Sequence, residues 1–385
     1  MSYKQKTVSL MVVLIGLAGA GTVWGSSKFS HPGVFSSQAD LERMKKVVNK
    51  DTSSPMHAGW KRLVRSGSAS LEYEPHPTET VYVCGGSAPR KWRKKVESEL
   101  WFRADAQAAY AHALAWVVTG DKAHARKAIE IMDAWAAVYR KTESVNFGDR
   151  QRALESGWVA MPWVGAAEII RYYDNGSAKW SSSSIKRFNQ RVLNKLYSYC
   201  NFLSNTQSSV PNQELICADA KMAIGIFQNS RSRYRLGRKQ WEGLLETSVH
   251  SSGENYEVCR DAVHAQYVII CLIMGAEMAW KQGDDLYGLK FGGQEKPRLW
   301  YGVEYLAKLD MGIPQDTPWR KQGMKNFDGH GNRSAGWEMA LNHYKNRQKI
   351  EMPATEKMVH EYVRPSLGDS HFIRWDTLTH AELDR

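Results

Sequence analysis

The sequence predicts an all-α protein built from consecutive helical hairpins. Three observations carry this. Apolar residues recur at helical spacing in roughly ten separate stretches. Short turns bearing Gly, Asp or Ser divide those stretches. Alternation with a period of two, the mark of a half-buried strand, is almost absent. Two arrangements fit such a series: an open solenoid, or hairpins curved into an (α/α) toroid around a central groove. No exact repeat demands the solenoid. A toroid would gather helix ends and faces around one cleft.

The chain opens on a targeting segment. Lys4 and Lys6 give a positive start, residues 8–20 are apolar, and Val23, Trp24 and Gly25 precede a cleavage point near Gly25 or Ser26. Residues 1–25 are therefore expected to be a signal peptide, and the mature protein secreted or periplasmic. The apolar run is short for a membrane span, and no later stretch is expected to span one. Residues 26–385 are expected to form a single domain with a less regular C-terminal segment.

Residues 38–48 (QADLERMKKVV) form a short amphipathic helix, and 60–64 continue the helical pattern. From 67 to 91 the text turns rich in Ser, Gly, Pro and Tyr and loses its period. It reads as a long loop over the body, and such loops are often functional. Helices over 100–118 and 122–139 flank Thr119-Gly120-Asp121 and make a hairpin. A helix over 151–173 follows, with a kink expected at Pro162. Ser181 to Ser184 offer caps for a helix over 184–203. Helices over 213–227, 238–249, 260–281 and 296–309 continue the series. A less regular region ends in a helix near 336–345, and the tail after Pro353 has few helical signals.

The composition gives direction. The net charge is +12, which favours an anionic partner such as an acidic polysaccharide. No nucleic-acid-binding motif is present, and the positive charge is scattered. Fifteen Trp and seventeen Tyr are a heavy aromatic load, of use against sugar rings although helical cores also absorb aromatics. Five cysteines leave at least one unpaired. No Cys or His cluster has metal-ligand spacing, and nothing calls for a cofactor. There is no GxSxG, Walker or Rossmann pattern. A glycoside hydrolase needs two placed carboxylates. Among Glu155, Glu168, Glu214, Glu257 and Asp261 no pair stands out.

The richest stretch is 253–283, GENYEVCRDAVHAQYVIICLIMGAEMAWKQG. Arg260, His264 and Tyr267 follow at i, i+4 and i+7, so a helix places them on one face. A cation, an imidazole and a phenol in one row can neutralise a carboxylate and move protons near neutral pH. The same groups can be satisfied by Glu254, Glu257 or Asp261 in a core. Val210-Pro211-Asn212-Gln213-Glu214 opens another helix. Asn212 is either its N-cap or an amide donor to a substrate carboxylate beside the positive helix end. Arg298 and Tyr305, seven apart in RLWYGVEY, repeat the cation and phenol pairing. Asn146, Arg150, Arg152 and Trp158 gather at the head of the third long helix and are candidates for a sugar subsite.

These segments, taken in order, resemble the alginate-lyase superfamily of polysaccharide lyases. They are HPGVFSSQADLERMK, WFRADAQAAYAHALAWVVTGDKAHARKAIEIMDAW, AAEIIRY, PNQELICADAKMAIGIF, RDAVHAQY, AEMAWKQGDDLYG, RLWYGVEYLAKL and the late WEMALNHYKNR. The resemblance spans most of the mature chain and is nearest to polysaccharide lyase family 38, whose members act on glucuronan and related polyuronates. It implies an (α/α) toroid and β-elimination of a 1,4-linked polyuronate. It matches Asn212 to the group that neutralises the uronate carboxylate. It matches His264 to the active-site His, and Arg298 and Tyr305 to the Arg and the proton-transferring Tyr. In the related family 5 an Arg and a Tyr seven residues on serve the same site, and Arg260 and Tyr267 have that spacing. That family carries a His directly after the Asn. This chain has Gln213 there, so Tyr267 and Tyr305 remain alternatives. A non-catalytic acidic-polysaccharide-binding protein and a hydrolase on the same scaffold are the competing expectations.

Overall fold

The structure is a computed structural model that describes residues 28–86, 88–204, 211–316, 318, 336–366, 368 and 370–382. The expected signal peptide lies outside the described residues, as does most of the irregular region before Gly336. The helices are α1 (Gln38–Lys50), α2 (Pro55–Arg65), α3 (Arg93–Thr119), α4 (Lys122–Val138), α5 (Gly148–Tyr172), α6 (Ser182–Phe188) and α7 (Asn194–Cys200). They continue with α8 (Pro211–Phe227), α9 (Arg231–Ser248), α10 (Ala262–Lys281), α11 (Arg298–Asp310), α12 (Trp337–Leu341), α13 (Pro353–Met358) and α14 (Asp376–His380).

Burial sorts them into two layers. In α3, α5, α8 and α10 nearly every residue past the first turns is buried, so these helices are apolar on all sides and line the interior. In α4 and α9 only one stripe is buried, and these form the outer wall. Sequential packing of α3 on α5, α5 on α8 and α8 on α10, with α4 and α9 outside, is the (α/α) toroid. The hairpin α8/α9 packs tightly. A Cβ on Gly237 would sit 2.5 Å from the Ala218 carbonyl oxygen, so only glycine permits that approach. Helix α10 is long and apolar enough to cross a bilayer, against the sequence expectation, but 89% of its apolar window is buried inside the domain.

The ring is completed by the termini. Glu277 of α10 is fully buried and binds Lys281 at 3.0 Å and Arg347 at 3.0 Å, and Lys281 reaches Asp40 of α1 at 2.8 Å. These cations hold the Glu277 carboxyl well below its usual range despite burial. Helix α14 packs on α2, and His380 approaches the Phe35 carbonyl at 3.1 Å. The C-terminal tail thus folds back across the N-terminal helices.

Several boundaries differ from the expectations. The loop over 67–91 contains strand β1 (Thr80–Val83), which pairs in parallel with β2 (Lys141–Ser144), Thr80 opposite Lys141. Four residues are too few for a period to show, and the pairing joins segments far apart in sequence. The helix expected over 238–249 begins at Arg231, and the one over 184–203 is broken into α6 and α7 by a π-turn at Asn189–Leu193. Pro162 sits inside α5 without ending it. Helix α10 starts at Ala262, because Asp261 has an extended backbone and its carboxylate caps the His264 N–H at 2.9 Å. All five cysteines are thiols, and Cys200 and Cys217 both donate to the Ala153 carbonyl.

Candidate active site

The N-terminal ends of α5, α8 and α10 and the second and third turns of α3 converge on one cavity of about 620 Å³. The first turns of α5, α8 and α10 turn partial positive charge toward this space, a setting suited to carboxylates. Its lining includes Glu99 and Arg103 of α3, Arg150, Gln151, Leu154 and Trp158 of α5, and Asn212 and Gln213 of α8. Arg260 and His264 at the head of α10, Cys84 to Gly86 after β1, Phe147 and His371 complete it.

The Gly85 segment is built into the wall. Its N–H donates to Asn146 Oδ1 at 2.8 Å, and Asn146 Nδ2 returns to its carbonyl at 2.7 Å. A Cβ on Gly85 would stand 2.7 Å from the Phe147 ring, which is 71% exposed at the mouth. Asn146 therefore shapes the cavity from behind instead of lining it. Gln213 lines the cavity and accepts from Arg150 at 3.2 Å. Trp158 also lines it but is 8% exposed, with the Arg103 guanidinium 5.2 Å above its ring and His371 at 4.3 Å. Its role is to hold those two groups more than to offer an open face to a sugar. Arg152 turns outward, onto the Tyr199 ring and Asp149.

Asn212 is the second residue of α8, not its N-cap. It is 3% exposed, and its Oδ1 makes no hydrogen bond among the described residues. A buried amide oxygen without a protein partner is costly and calls for a donor, such as water or a hydroxyl group. His264 is held by Asp261, whose carboxylate oxygens lie 2.8 Å from Nδ1. The Nδ1–H donates to Asp261, which leaves Nε2 as the acceptor. Burial lowers the His264 pKa, and the Arg260 charge lowers it further, against the pull of Asp261. The imidazole is accordingly neutral near neutral pH and able to take a proton. Arg260 is half exposed, 3.6 Å from Glu257 and 3.8 Å from Asp261. Tyr267 lies one turn beyond His264, with ring centroids 5.8 Å apart. It is buried just behind the lining, its hydroxyl 3.3 Å from His371 Nδ1, and His371 does line the cavity.

Arg298 and Tyr305 lie elsewhere. Neither lines the cavity. Arg298 donates to the Val249 carbonyl at 2.6 Å and to Gln294 at 2.5 Å. Tyr305 is 3% exposed and donates to the Asp316 carbonyl at 2.9 Å. Their face of α11 packs on the turn at Gly253, where an added Cβ would meet the Tyr305 Cβ at 2.7 Å.

The sequence reading missed a buried cluster. Arg103 donates to Glu99 and Glu155, the Nε bond to Glu155 being 2.7 Å, and its Nη1 reaches His371 Nε2 at 2.9 Å. Two carboxylates thus share one guanidinium, although no pair stood out along the chain. Burial and the neighbouring Glu155 push Glu99 up to about 8. The signal available was a charged triplet, Glu99, Arg103 and Asp105, running into the apolar part of α3. Among the described residues no group of three or more His, Cys, Asp or Glu side chains could hold a metal ion.

A toroid of helical hairpins with a cationic, imidazole-bearing cleft defines the helical polysaccharide lyases as its class. The sequence model of the alginate lyase family matches residues 42–309, and the chain belongs to that family of polysaccharide lyases. Among solved structures it is similar to alginate lyase A1-III of Sphingomonas species A1. The identity is 17%, 91% of this chain and 99% of that one are covered, and the TM-score is 0.65. A histidine-to-alanine variant of that enzyme complexed with a tetrasaccharide aligns at 14% identity, 90% and 96% coverage and TM-score 0.64. An alginate lyase from Bacteroides ovatus aligns at 13% identity, 86% and 98% coverage and TM-score 0.59. At these identities the likeness speaks for the fold. No functionally curated protein matches the sequence.

Proposed function

We propose that this chain is an exported lyase that cleaves a 1,4-linked polyuronate of the alginate or glucuronan type by β-elimination. The observation that carries the reading is the grouping in one cleft of the Asn212 amide, the Arg260 guanidinium and the Asp261-held imidazole of His264. The C5 proton of a uronate is weakly acidic because its carboxylate is already charged. Asn212 and Arg260 neutralise that carboxylate as charge develops on it. His264 Nε2 takes the C5 proton, the C4=C5 double bond forms, and the C4–O4 bond breaks. Tyr267 gives its hydroxyl proton to the leaving O4. Arg298 and Tyr305 support the wall. Three helix N-termini at the cleft and the net charge of +12 favour an acidic polymer. Residues 1–25 support export to the periplasm or beyond.

The test is incubation of protein beginning near Ser27 with polymannuronate, polyguluronate, glucuronan, hyaluronan and chondroitin, followed by ultraviolet absorbance of the 4,5-unsaturated uronate. A rise on one polymer is expected and names the substrate. Reducing ends without absorbance would replace elimination by hydrolysis. Binding without either product would leave a non-catalytic carbohydrate-binding protein.

A further inference from the structure

We infer that His371, carried by the C-terminal tail, is a positioning residue that polarises Tyr267 through an Arg103–His371–Tyr267 hydrogen-bond chain. The inference rests on the reading of Tyr267 as the group that protonates O4. A guanidinium only donates. With Arg103 Nη1 2.9 Å from His371 Nε2, that nitrogen must carry the lone pair. The proton therefore sits on Nδ1, and Nδ1 lies 3.3 Å from the Tyr267 hydroxyl. The Nδ1–H donates to the phenol oxygen, so Tyr267 does not use its own proton in that contact. When Tyr267 gives its proton to O4, negative charge develops on an oxygen already held by an N–H whose polarity is reinforced by a cation behind it. Such a bond is stronger to the anion than to the neutral phenol.

The tail is fixed for this task. Gln107, one turn beyond Arg103 on α3, donates to the carbonyls of Ser370 at 3.3 Å and Phe372 at 2.5 Å, on either side of His371. The His371 ring packs edge-on against Trp158 at 4.3 Å, and the Tyr267 ring against Phe372 at 4.8 Å. Arg103 itself is anchored by Glu99 and Glu155. His371 lies beyond the span matched by the family model, which ends at residue 309. Where family 5 places a His directly after the Asn, this chain has Gln213, and the tail brings another imidazole into the same cleft.

The experiment compares His371→Ala, His371→Gln, Tyr267→Phe and the double variant His371→Ala/Tyr267→Phe on the polymer that gives the largest rise in absorbance. Glutamine can accept from Arg103 and donate to Tyr267. His371→Ala is expected to lower kcat by ~10- to 100-fold with little change in KM, the loss of one charge-assisted hydrogen bond. His371→Gln is expected to restore a large part of that kcat, and the double variant to be no slower than Tyr267→Phe alone. Unfolding curves and KM control for collapse of the cleft. Equal losses in the Ala and Gln variants, or a rise in KM without a fall in kcat, would overturn the positioning role. A Tyr267→Phe enzyme with normal kcat would instead overturn the reading of Tyr267.

Discussion

Helices α10 and α11 carry the same pattern with opposite fates. Each is read with an Arg and a Tyr seven residues apart, Arg260 with Tyr267 and Arg298 with Tyr305. Arg260, however, precedes α10 across the extended Asp261, so only His264 and Tyr267 share the helix. At the head of α10, Arg260 and His264 open onto the cavity. On α11 the row faces inward, and its polar atoms are bound by the carbonyls of Val249 and Asp316. What differs is which surface the face meets. Arg260 and His264 stand where the first turns of α5, α8 and α10 meet, so they face open space, and Tyr267 is buried one turn below them against His371. The α11 row packs on the Gly253 turn, so its groups meet backbone. Spacing puts residues on one face, and only packing says what that face touches.

The contrast can be broken most directly at the two phenols. Tyr267→Phe is expected to lower kcat by about 10²- to 10⁴-fold, the range for loss of a general acid, in a steady-state assay of unsaturated product. Comparable turnover by that variant, with loss in the Tyr305 variant, would exchange the roles of the two helices.

A finer probe is the pH dependence of kcat/KM. The Arg260 charge helps hold His264 below its ordinary value, so the neutral base survives as pH falls through the usual imidazole range. Arg260→Gln removes that repulsion and raises the His264 pKa. The acid limb should move to higher pH, together with a higher KM from loss of the carboxylate partner. A limb that stays in place would detach it from His264.

The smallest effect is expected on the α11 side. Tyr305→Phe should leave kcat within about twofold and lower stability by about 1 kcal/mol, the net contribution of one hydrogen bond, read from denaturant unfolding.

Much of the cleft was legible along the chain because its groups sit close to helix starts. Asn212, Gln213, Arg260 and His264 cluster at two such points, and Arg150 and Trp158 at a third. Glu99 and Arg103 escaped because they follow the charged first turns of α3, where charge suggests a solvated end. His371 escaped because a tail without period gives no clue to where it lands. The parallel pairing of β1 with β2, which aims Gly85 at the cleft, escaped because it joins segments some sixty residues apart.

The sequence by itself determined the all-α class, the order of the hairpins and the stretches holding the polar groups. These follow from local period, caps and turn residues, which act over a few residues. Tertiary structure alone decided that α10 and not α11 faces the cavity, that Glu99 and Glu155 share Arg103, and that the tail delivers His371 to Tyr267. Those outcomes depend on contacts between segments distant in sequence, and on burial that no local pattern encodes.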